Sequence, residues 1–169
     1  MTRYPFAALL LLTSTAAGTG TAAAAEASLV GADGSDKGTV TLTETPNGIL
    51  LTARLKNLPE GVHGFHIHET GACTPDFGAA GGHLAGGAAA HGFLAEGGPH
   101  AGDMPNVHVP ASGALTIEVF NPRVSFDSGE GALFDGDGSA IVIHAGADDY
   151  ESQPSGDAGG RIACGVIER

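Results

Sequence analysis

Residues that commonly bind transition metals are concentrated between positions 66 and 103. Five of the eight histidines lie there together with Asp103, and a sixth histidine, His144, lies near the C-terminus. His66 and His68 are two residues apart in a segment of strand character, so their rings project from the same face. Such a pair suits two ligands of one metal ion. The five histidines of this stretch are His66, His68, His83, His91 and His100.

The later part of this stretch contains four residues that are suitable as ligands for one zinc ion. Three histidines and one carboxylate form an ordinary four-coordinate zinc set, and a loop that carried them could be ordered by the ion. A histidine-rich loop that merely scavenges metal ions has the same composition, so composition leaves that alternative open. The four candidate ligands are His83, His91, His100 and Asp103.

The first 25 residues have the pattern of a secretory signal peptide. Arg3 supplies a positive n-region, residues 6–12 form a short apolar run, and small residues follow as far as Ala25. We expect cleavage just before Glu26, so that residues 26–169 form the mature domain. The apolar run is too short to span a bilayer, which makes an uncleaved membrane anchor the weaker alternative. The pattern predicts a periplasmic or secreted protein without stable membrane insertion after cleavage.

The charge of the chain argues against a nucleic-acid partner. All 19 acidic residues and six of the seven basic residues lie beyond residue 25, which gives that part a formal net charge of −13. Phosphate binding requires clustered lysine and arginine side chains, and the sequence contains no such cluster. Bound divalent cations would offset part of this negative charge.

Two cysteines, Cys73 and Cys164, lie beyond the signal segment. An even pair in an exported chain favours a disulfide, because the compartments outside the cytoplasm are oxidising. In the chain-entropy model a bridge across so long a loop stabilises the fold by about 4–5 kcal/mol, less any strain. Two cysteines as soft metal ligands are the weaker alternative, because the histidines already supply the ligands.

Beyond the signal segment, short alternating segments are separated by turn residues. About eight such segments, with turns roughly every 8–12 residues, indicate a single all-β domain built as a Greek-key sandwich or barrel. Residues 70–113 and 146–160 lose the alternation, and we interpret them as two long functional loops. The turn at 46–48 predicts a hairpin. Strands are predicted over 27–30, 39–43, 49–55, 62–69, 114–120, 131–134, 140–144 and 162–167.

These residues and their spacing resemble those of exported bacterial copper/zinc superoxide dismutases, over residues 27–168. The resemblance implies an eight-stranded, immunoglobulin-like Greek-key β-barrel with two long functional loops. It also implies an oxidoreductase that converts two superoxide anions and two protons into dioxygen and hydrogen peroxide, as antioxidant defence outside the cytoplasm. The motifs that carry the resemblance are residues 64–69, 80–83, 98–103, 144–149 and 160–166.

The resemblance implies one copper ion and one zinc ion in each subunit. One ring, His83, belongs to both ligand sets, because each of its nitrogens can bind a metal once the ring has lost its last proton. Superoxide would alternately reduce and reoxidise the copper, whereas zinc is redox-silent. The copper ligands would be His66, His68, His83 and His144. The zinc ligands would be His83, His91, His100 and Asp103.

Further positions take their roles from the same resemblance. Arg161 carries a permanent charge and forked donors for a small anion beside the copper, so that Arg161 and His83 are the expected catalytic residues. Asp148 would hydrogen-bond one copper histidine and one zinc histidine and thereby fix their orientation. A disulfide between Cys73 and Cys164 would tie the loop of the first cysteine to the strand that carries Arg161.

The sequence departs from the family pattern without removing a ligand. Residues 84–86 are Leu-Ala-Gly where Phe-Asn-Pro is more usual, and neither 87–90 nor 149–160 contains a lysine. Because lysines in such loops attract the anionic substrate, we expect weaker electrostatic steering here. His63 and His108 fall outside both ligand sets. We expect a structural hydrogen-bonding role for His63 and a surface position for His108.

A non-catalytic copper- or zinc-binding module on the same scaffold is the second hypothesis. Such a relative would be expected to lack a copper ligand, the shared histidine or the arginine, and this chain has all of them. A purely structural protein would leave the histidines without a role. The apolar strand faces do not distinguish a monomer from a homodimer, so a homodimer stays open.

Overall fold

The computed structural model describes Met1 and residues 22–169 of the chain. The predicted signal segment therefore lies largely outside the described residues. The first strand begins at Ala24, before the expected start of the mature domain at Glu26, and Ala25 is buried in it. Among the described residues, no helix has the length and apolar character needed to cross a membrane.

The described part of the chain is built from strands and turns, with a single turn of 3-10 helix at Phe77–Ala80. This confirms the all-β fold class. The strands are β1 (Ala24–Gly31), β2 (Asp36–Thr45), β3 (Gly48–Leu55), β4 (Gly61–His63), β5 (Phe65–His68), β6 (Val107–Val109), β7 (Leu115–Asn121), β8 (Ala140–His144) and β9 (Arg161–Glu168).

The strands pair antiparallel in two sheets. Seven strands form one sheet in the order β5-β8-β9-β1-β2-β3-β7, and β4 pairs with β6 in the other. Several sheet neighbours, such as β5 with β8 and β9 with β1, are far apart along the chain, as in Greek-key arrangements. The predicted hairpin joins β2 to β3, where Thr45 pairs with Gly48.

Alternating burial along the strands separates a core face from an outer face. In β1 every second side chain is buried, so Ala27 and Leu29 enter the core. All four residues of β5 are buried, but successive side chains still point to opposite faces, so Phe65 and Ile67 enter the core and the histidines lie on the other face. All of β8 is buried, because one face packs on the core and the other lies under a loop. The core therefore fixes the strand from which the first histidines project.

Three strand predictions differ from the structure. The single strand predicted over 62–69 is two strands, β4 and β5, which pair with different partners on either side of Gly64. Residues 131–134 form no strand; Leu133 and Phe134 donate to the carbonyls of a nearby loop, and one isolated bridge is all that forms. The predicted 70–113 loop contains the short strand β6, whose three residues are too few to show an alternation.

The two long loops connect β5 to β6 and β8 to β9. A disulfide joins Cys73 in the first of these loops to Cys164 on β9, as expected, across 91 residues of sequence. Under this bridge lies a small apolar cluster that contains Ala80, Val142 and Cys164, with Phe77 packed against it. The disulfide and this cluster hold the start of the first loop on the sheet.

Candidate metal centre

Strands β5 and β8 supply three of the six histidines. His66 and His68 lie on β5, and His144 ends β8, the neighbouring strand. The chain around His83 runs beside β5, because the Leu84 amide donates to the Ile67 carbonyl at 2.9 Å and His83 bridges to His68. Backbone pairing therefore places a loop histidine next to the strand histidines.

The predicted copper and zinc ligands lie in two groups of four residues. Within each group the candidate ligand atoms all lie within 4.8 Å of one another. We call the first group the copper set: His66, His68, His83 and His144. We call the second group the zinc set: His83, His91, His100 and Asp103. The structure thus brings together every residue that was predicted to bind a metal, while the binding itself stays a prediction.

The ring of His83 lies between the two sets. Its centroid is 4.0 Å from that of His66 and 5.0 Å from that of His91. Its Nδ1 atom is 2.8 Å from Asp103 Oδ1, on the zinc side, and its Nε2 atom is buried. Both nitrogens of one imidazole therefore face candidate ligands, which is the arrangement needed to join two metal ions.

In His68 and His144, a hydrogen bond at Nδ1 leaves Nε2 as the nitrogen that faces the other copper-set residues. His68 Nδ1 donates to the Gly81 carbonyl at 3.0 Å, and His144 Nδ1 is 3.2 Å from the Gly159 carbonyl. A carbonyl can only accept, so these rings carry their proton on Nδ1 and present a lone pair at Nε2. In the copper set these Nε2 atoms lie 3.4 Å apart.

The donor atoms fit the two metals that the resemblance implies. The buried atoms His66 Nδ1, His83 Nε2 and His100 Nδ1 have no hydrogen-bond partner among the described residues. Buried polar atoms are normally paired, so three such nitrogens in two small clusters indicate metal ligands. Four imidazoles suit copper, and three imidazoles with one carboxylate suit zinc.

Asp148 connects the two sets, as the resemblance implies. Its Oδ2 atom is 2.8 Å from His66 Nε2, and its Oδ1 atom is 3.0 Å from His91 Nε2. Burial alone would raise the pKa of Asp148, but hydrogen bonds from His66 and His91 lower the pKa to about 2. The carboxylate therefore stays ionised and accepts a hydrogen bond from the Nε2–H of each ring. The Nδ1 atoms of both rings then face the metal sets.

Burial keeps three histidines of the copper set, His66, His68 and His144, neutral. It lowers the pKa of His66 to about 4, that of His144 to about 3 and that of His68 to about 2. On the zinc side, burial would raise the pKa of Asp103, but its hydrogen bond with His83 and others hold that pKa well below the ordinary value. At neutral pH these three rings are thus uncharged and can act as metal ligands, and the Asp103 carboxylate is an anion.

Arg161 is half-buried at the start of β9, opposite His144. Its guanidinium donates to the carbonyls of Phe77 and Gly81. The Gly81 carbonyl also accepts from His68, and Gly81 has a φ of 73° that favours glycine. The positive charge of Arg161 contributes to the lowered pKa values of His68 and His144, so the charge acts on the copper set.

Two histidines lie outside both sets, as expected. His63 is buried, and its Nδ1 and Nε2 atoms lie 2.9 Å and 3.1 Å from the carbonyl oxygens of His144 and Pro59. His108 is exposed on β6. Sequence reasoning missed two carboxamides, Asn106 and Gln153, which hold the two long loops together. Neither has a local pattern that could reveal it, because each acts on a residue more than 40 positions away.

Comparison with known proteins identifies similar chains over most of this sequence. A sequence profile described as copper/zinc superoxide dismutase matches residues 36–167. A protein of Caulobacter vibrioides named Superoxide dismutase [Cu-Zn] is 49% identical over 140 residues, which cover 80% of each chain. All residues of both metal sets lie within the matched range.

Solved structures share the fold. A double mutant of a SOD-like protein from Bacillus subtilis matches with a TM-score of 0.81 and 38% identity, over 85% of this chain and 97% of that one. The Cu/Zn superoxide dismutase from Brucella abortus matches with a TM-score of 0.71 and 32% identity, over 86% of this chain and all of that one. Both are bacterial proteins with the same all-β architecture.

The lowered histidine pKa values predict that the metal-free protein loses stability between about pH 6.5 and pH 4. In that window the unfolded chain binds protons that buried His66 and His144 do not, so the free energy of unfolding falls as the pH falls. Each such histidine contributes about 1.4 kcal/mol per pH unit. Urea unfolding of the metal-free protein at several pH values measures the slope. A His108→Ala control should keep it, and a flat profile would contradict the prediction.

Proposed function

The chain belongs to the copper/zinc superoxide dismutase family, and we propose that Arg161 and His83 are its catalytic residues. The observation that supports this proposal most strongly is the single ring of His83 between two complete ligand sets, with the charge of Arg161 acting on one of them. The protein is a superoxide dismutase, an oxidoreductase with an antioxidant role. Its substrate is superoxide, and its cofactors are copper and zinc.

We assign copper to the copper set and zinc to the zinc set. Copper, when bound, supplies the alternate one-electron reduction and oxidation by which two superoxide anions and two protons become dioxygen and hydrogen peroxide. The residues of the zinc set hold the shared ring in place, because His83 Nδ1 faces Asp103. Asp148 and the Gly81 carbonyl orient the rings of the copper set, since they accept the protons on His66 Nε2 and His68 Nδ1.

Arg161 binds the anionic substrate in this proposal. A guanidinium carries five N–H donors, and the carbonyls of Phe77 and Gly81 take up two of its nitrogens in fixed directions. The remaining donors and the permanent charge attract and orient a small anion. Burial lowers the pKa of Arg161, but the ordinary pKa of a guanidinium is so high that the side chain stays charged throughout the physiological range.

His83 carries one of the two protons that the peroxide product needs. Its Nε2 atom lies on the copper side, is buried and has no partner among residues 22–169. A proton held at Nε2 therefore sits beside the place where the substrate is reduced. His83 Nδ1 and Asp103 would both bind the zinc ion, so the imidazole would keep its position while Nε2 gains and loses the proton.

We further propose that residues 1–25 are a signal peptide and that residues 26–169 act in the periplasm or outside the cell. The disulfide between Cys73 and Cys164 supports an oxidising compartment. Because β1 begins at Ala24, a mature chain that starts at Glu26 lacks two residues of that strand.

The acidic charge argues against a nucleic-acid partner. Sedimentation velocity distinguishes a monomer from a homodimer, the two states that the sequence leaves open.

A substitution at His144 tests the assignment of the copper set. His144→Ala removes one ligand, so we expect loss of copper binding and a fall in superoxide dismutation of more than about 100-fold, with zinc retained. Metal analysis and stopped-flow superoxide decay measure the two effects. His108→Ala, an exposed histidine outside both sets, is the matched control and should leave both unchanged. Full activity in His144→Ala would refute the assignment, and copper uptake without activity in the wild type would favour a non-catalytic module.

Weak electrostatic steering predicts a shallow dependence of the rate on ionic strength. The chain has no lysine in residues 149–160, and its formal net charge is −12. Replacing the exposed Glu151 by lysine should raise kcat/KM at low salt by several-fold, because the new positive charge attracts the anionic substrate. The rate of this variant should also fall more steeply as salt is added. Glu151→Gln controls for the loss of the carboxylate. A wild-type rate that falls with salt as steeply as that of Glu151→Lys would contradict the prediction.

A further inference from the structure

Gln153 forms an unusual contact with one residue of the zinc set. Its side-chain Oε1 atom accepts from the His91 backbone N–H at 2.9 Å, and its Nε2 atom donates to the His91 carbonyl at 2.9 Å. The same Nε2 atom also donates to the Glu151 carbonyl at 2.9 Å, within its own loop. The carboxamide thus pairs with both backbone groups of a buried histidine that lies in the other long loop.

A second carboxamide makes the reverse contact. Asn106, at the end of the first long loop, donates from Nδ2 to the Asp148 carbonyl at 2.8 Å and accepts from the Asp148 N–H at 2.8 Å. Each loop therefore holds the backbone of a residue in the other loop by two hydrogen bonds. Between the two carboxamides lies the bond from His91 Nε2 to Asp148 Oδ1, at 3.0 Å.

The two loops also fit closely around Tyr150. The Tyr150 hydroxyl accepts from the Asn106 N–H at 2.8 Å, and the Tyr150 carbonyl accepts from the Leu94 N–H at 3.0 Å. A Cβ atom at Gly92 would lie 2.0 Å from that carbonyl oxygen. The backbone next to His91 therefore lies directly against the second loop.

We propose that Gln153 is a positioning residue that fixes the backbone of His91 and so keeps its ring on the zinc ion; this inference rests on the proposed zinc role of His91. Two parallel hydrogen bonds fix the orientation of the peptide groups on both sides of His91, which sets the direction of the side chain. Asp148 then fixes the ring itself through Nε2. With the backbone held by Gln153 and the ring held by Asp148, fewer movements of His91 away from the zinc ion remain.

The chemistry of the contact explains why a carboxamide is needed at this position. The His91 backbone presents one donor and one acceptor side by side, and only a side chain with both an acceptor and a donor at its end satisfies both. A glutamate retains the acceptor but places an oxygen against two carbonyls. A leucine of similar size retains neither. These two replacements therefore separate the two halves of the contact.

Hydrogen exchange and zinc release test this role in the metal-loaded, disulfide-bonded protein. In Gln153→Leu we expect the His91 amide to exchange about tenfold faster, because its hydrogen bond is lost, and zinc to pass to a chelator about tenfold faster. Gln153→Glu should preserve most of the amide protection yet still accelerate zinc release. Ser152→Ala is the matched control, since within the described part of the chain the Ser152 hydroxyl bonds only to Asp149 of the same loop. The control should change neither quantity.

Unchanged zinc release in both Gln153 variants would overturn the inference, even if the amide exchanged faster, because a merely structural contact could do that. Unchanged amide exchange in a folded Gln153→Leu protein would also overturn it. Neither result touches the proposed function, provided the wild type binds zinc at His91. Cobalt(II) added to the metal-free wild type reports on this set through its visible spectrum. If no such spectrum appears, the set binds no metal, and the proposed function and this inference are overturned together.

Discussion

The site depends on hydrogen bonds that fix which nitrogen of each imidazole faces the centre. Histidine rings buried this closely are useful as ligands only if they are neutral and present a lone pair inward. Burial ensures the first condition, because it lowers the pKa of His66 to about 4 and that of His144 to about 3. Asp148 and the backbone carbonyls of Gly81 and Gly159 ensure the second. His83 is the exception, since both of its nitrogens face candidate ligands.

The scaffold holds this arrangement at two levels of rigidity. The strand histidines project from β5 and β8, whose other faces are packed in the core, so their backbone cannot move without disturbing that packing. The loop ligands have no such support and rely on contacts between loops. The disulfide and the small apolar cluster hold the beginning of the first loop. Asn106 then binds the second loop at Asp148, and Gln153 binds the first loop at His91. The site thus lies where a rigid sheet meets two loops that stabilise one another.

Local sequence patterns predicted the fold class, most of the strands and the metal-ligand types. They failed where the outcome depends on distant partners. Residues 62–69 have continuous strand character, yet the strand divides at Gly64 because the two halves pair with different strands. Spacing grouped the histidines, but the positions of Arg161 and Asp148 came only from a family resemblance. The role of Gln153 could not be predicted, because a polar residue in a loop gives no sign of the backbone that it will contact.

The claim that one imidazole joins the two metal sets can be measured directly by electron paramagnetic resonance. With Cu(II) loaded into both sets, a shared ring at His83 transmits magnetic exchange between the ions. The account predicts strongly coupled spins in the wild type, seen as a loss of the ordinary Cu(II) signal at low temperature. It also predicts two independent Cu(II) signals in His83→Ala. Two independent signals in the fully loaded wild-type protein would contradict the account.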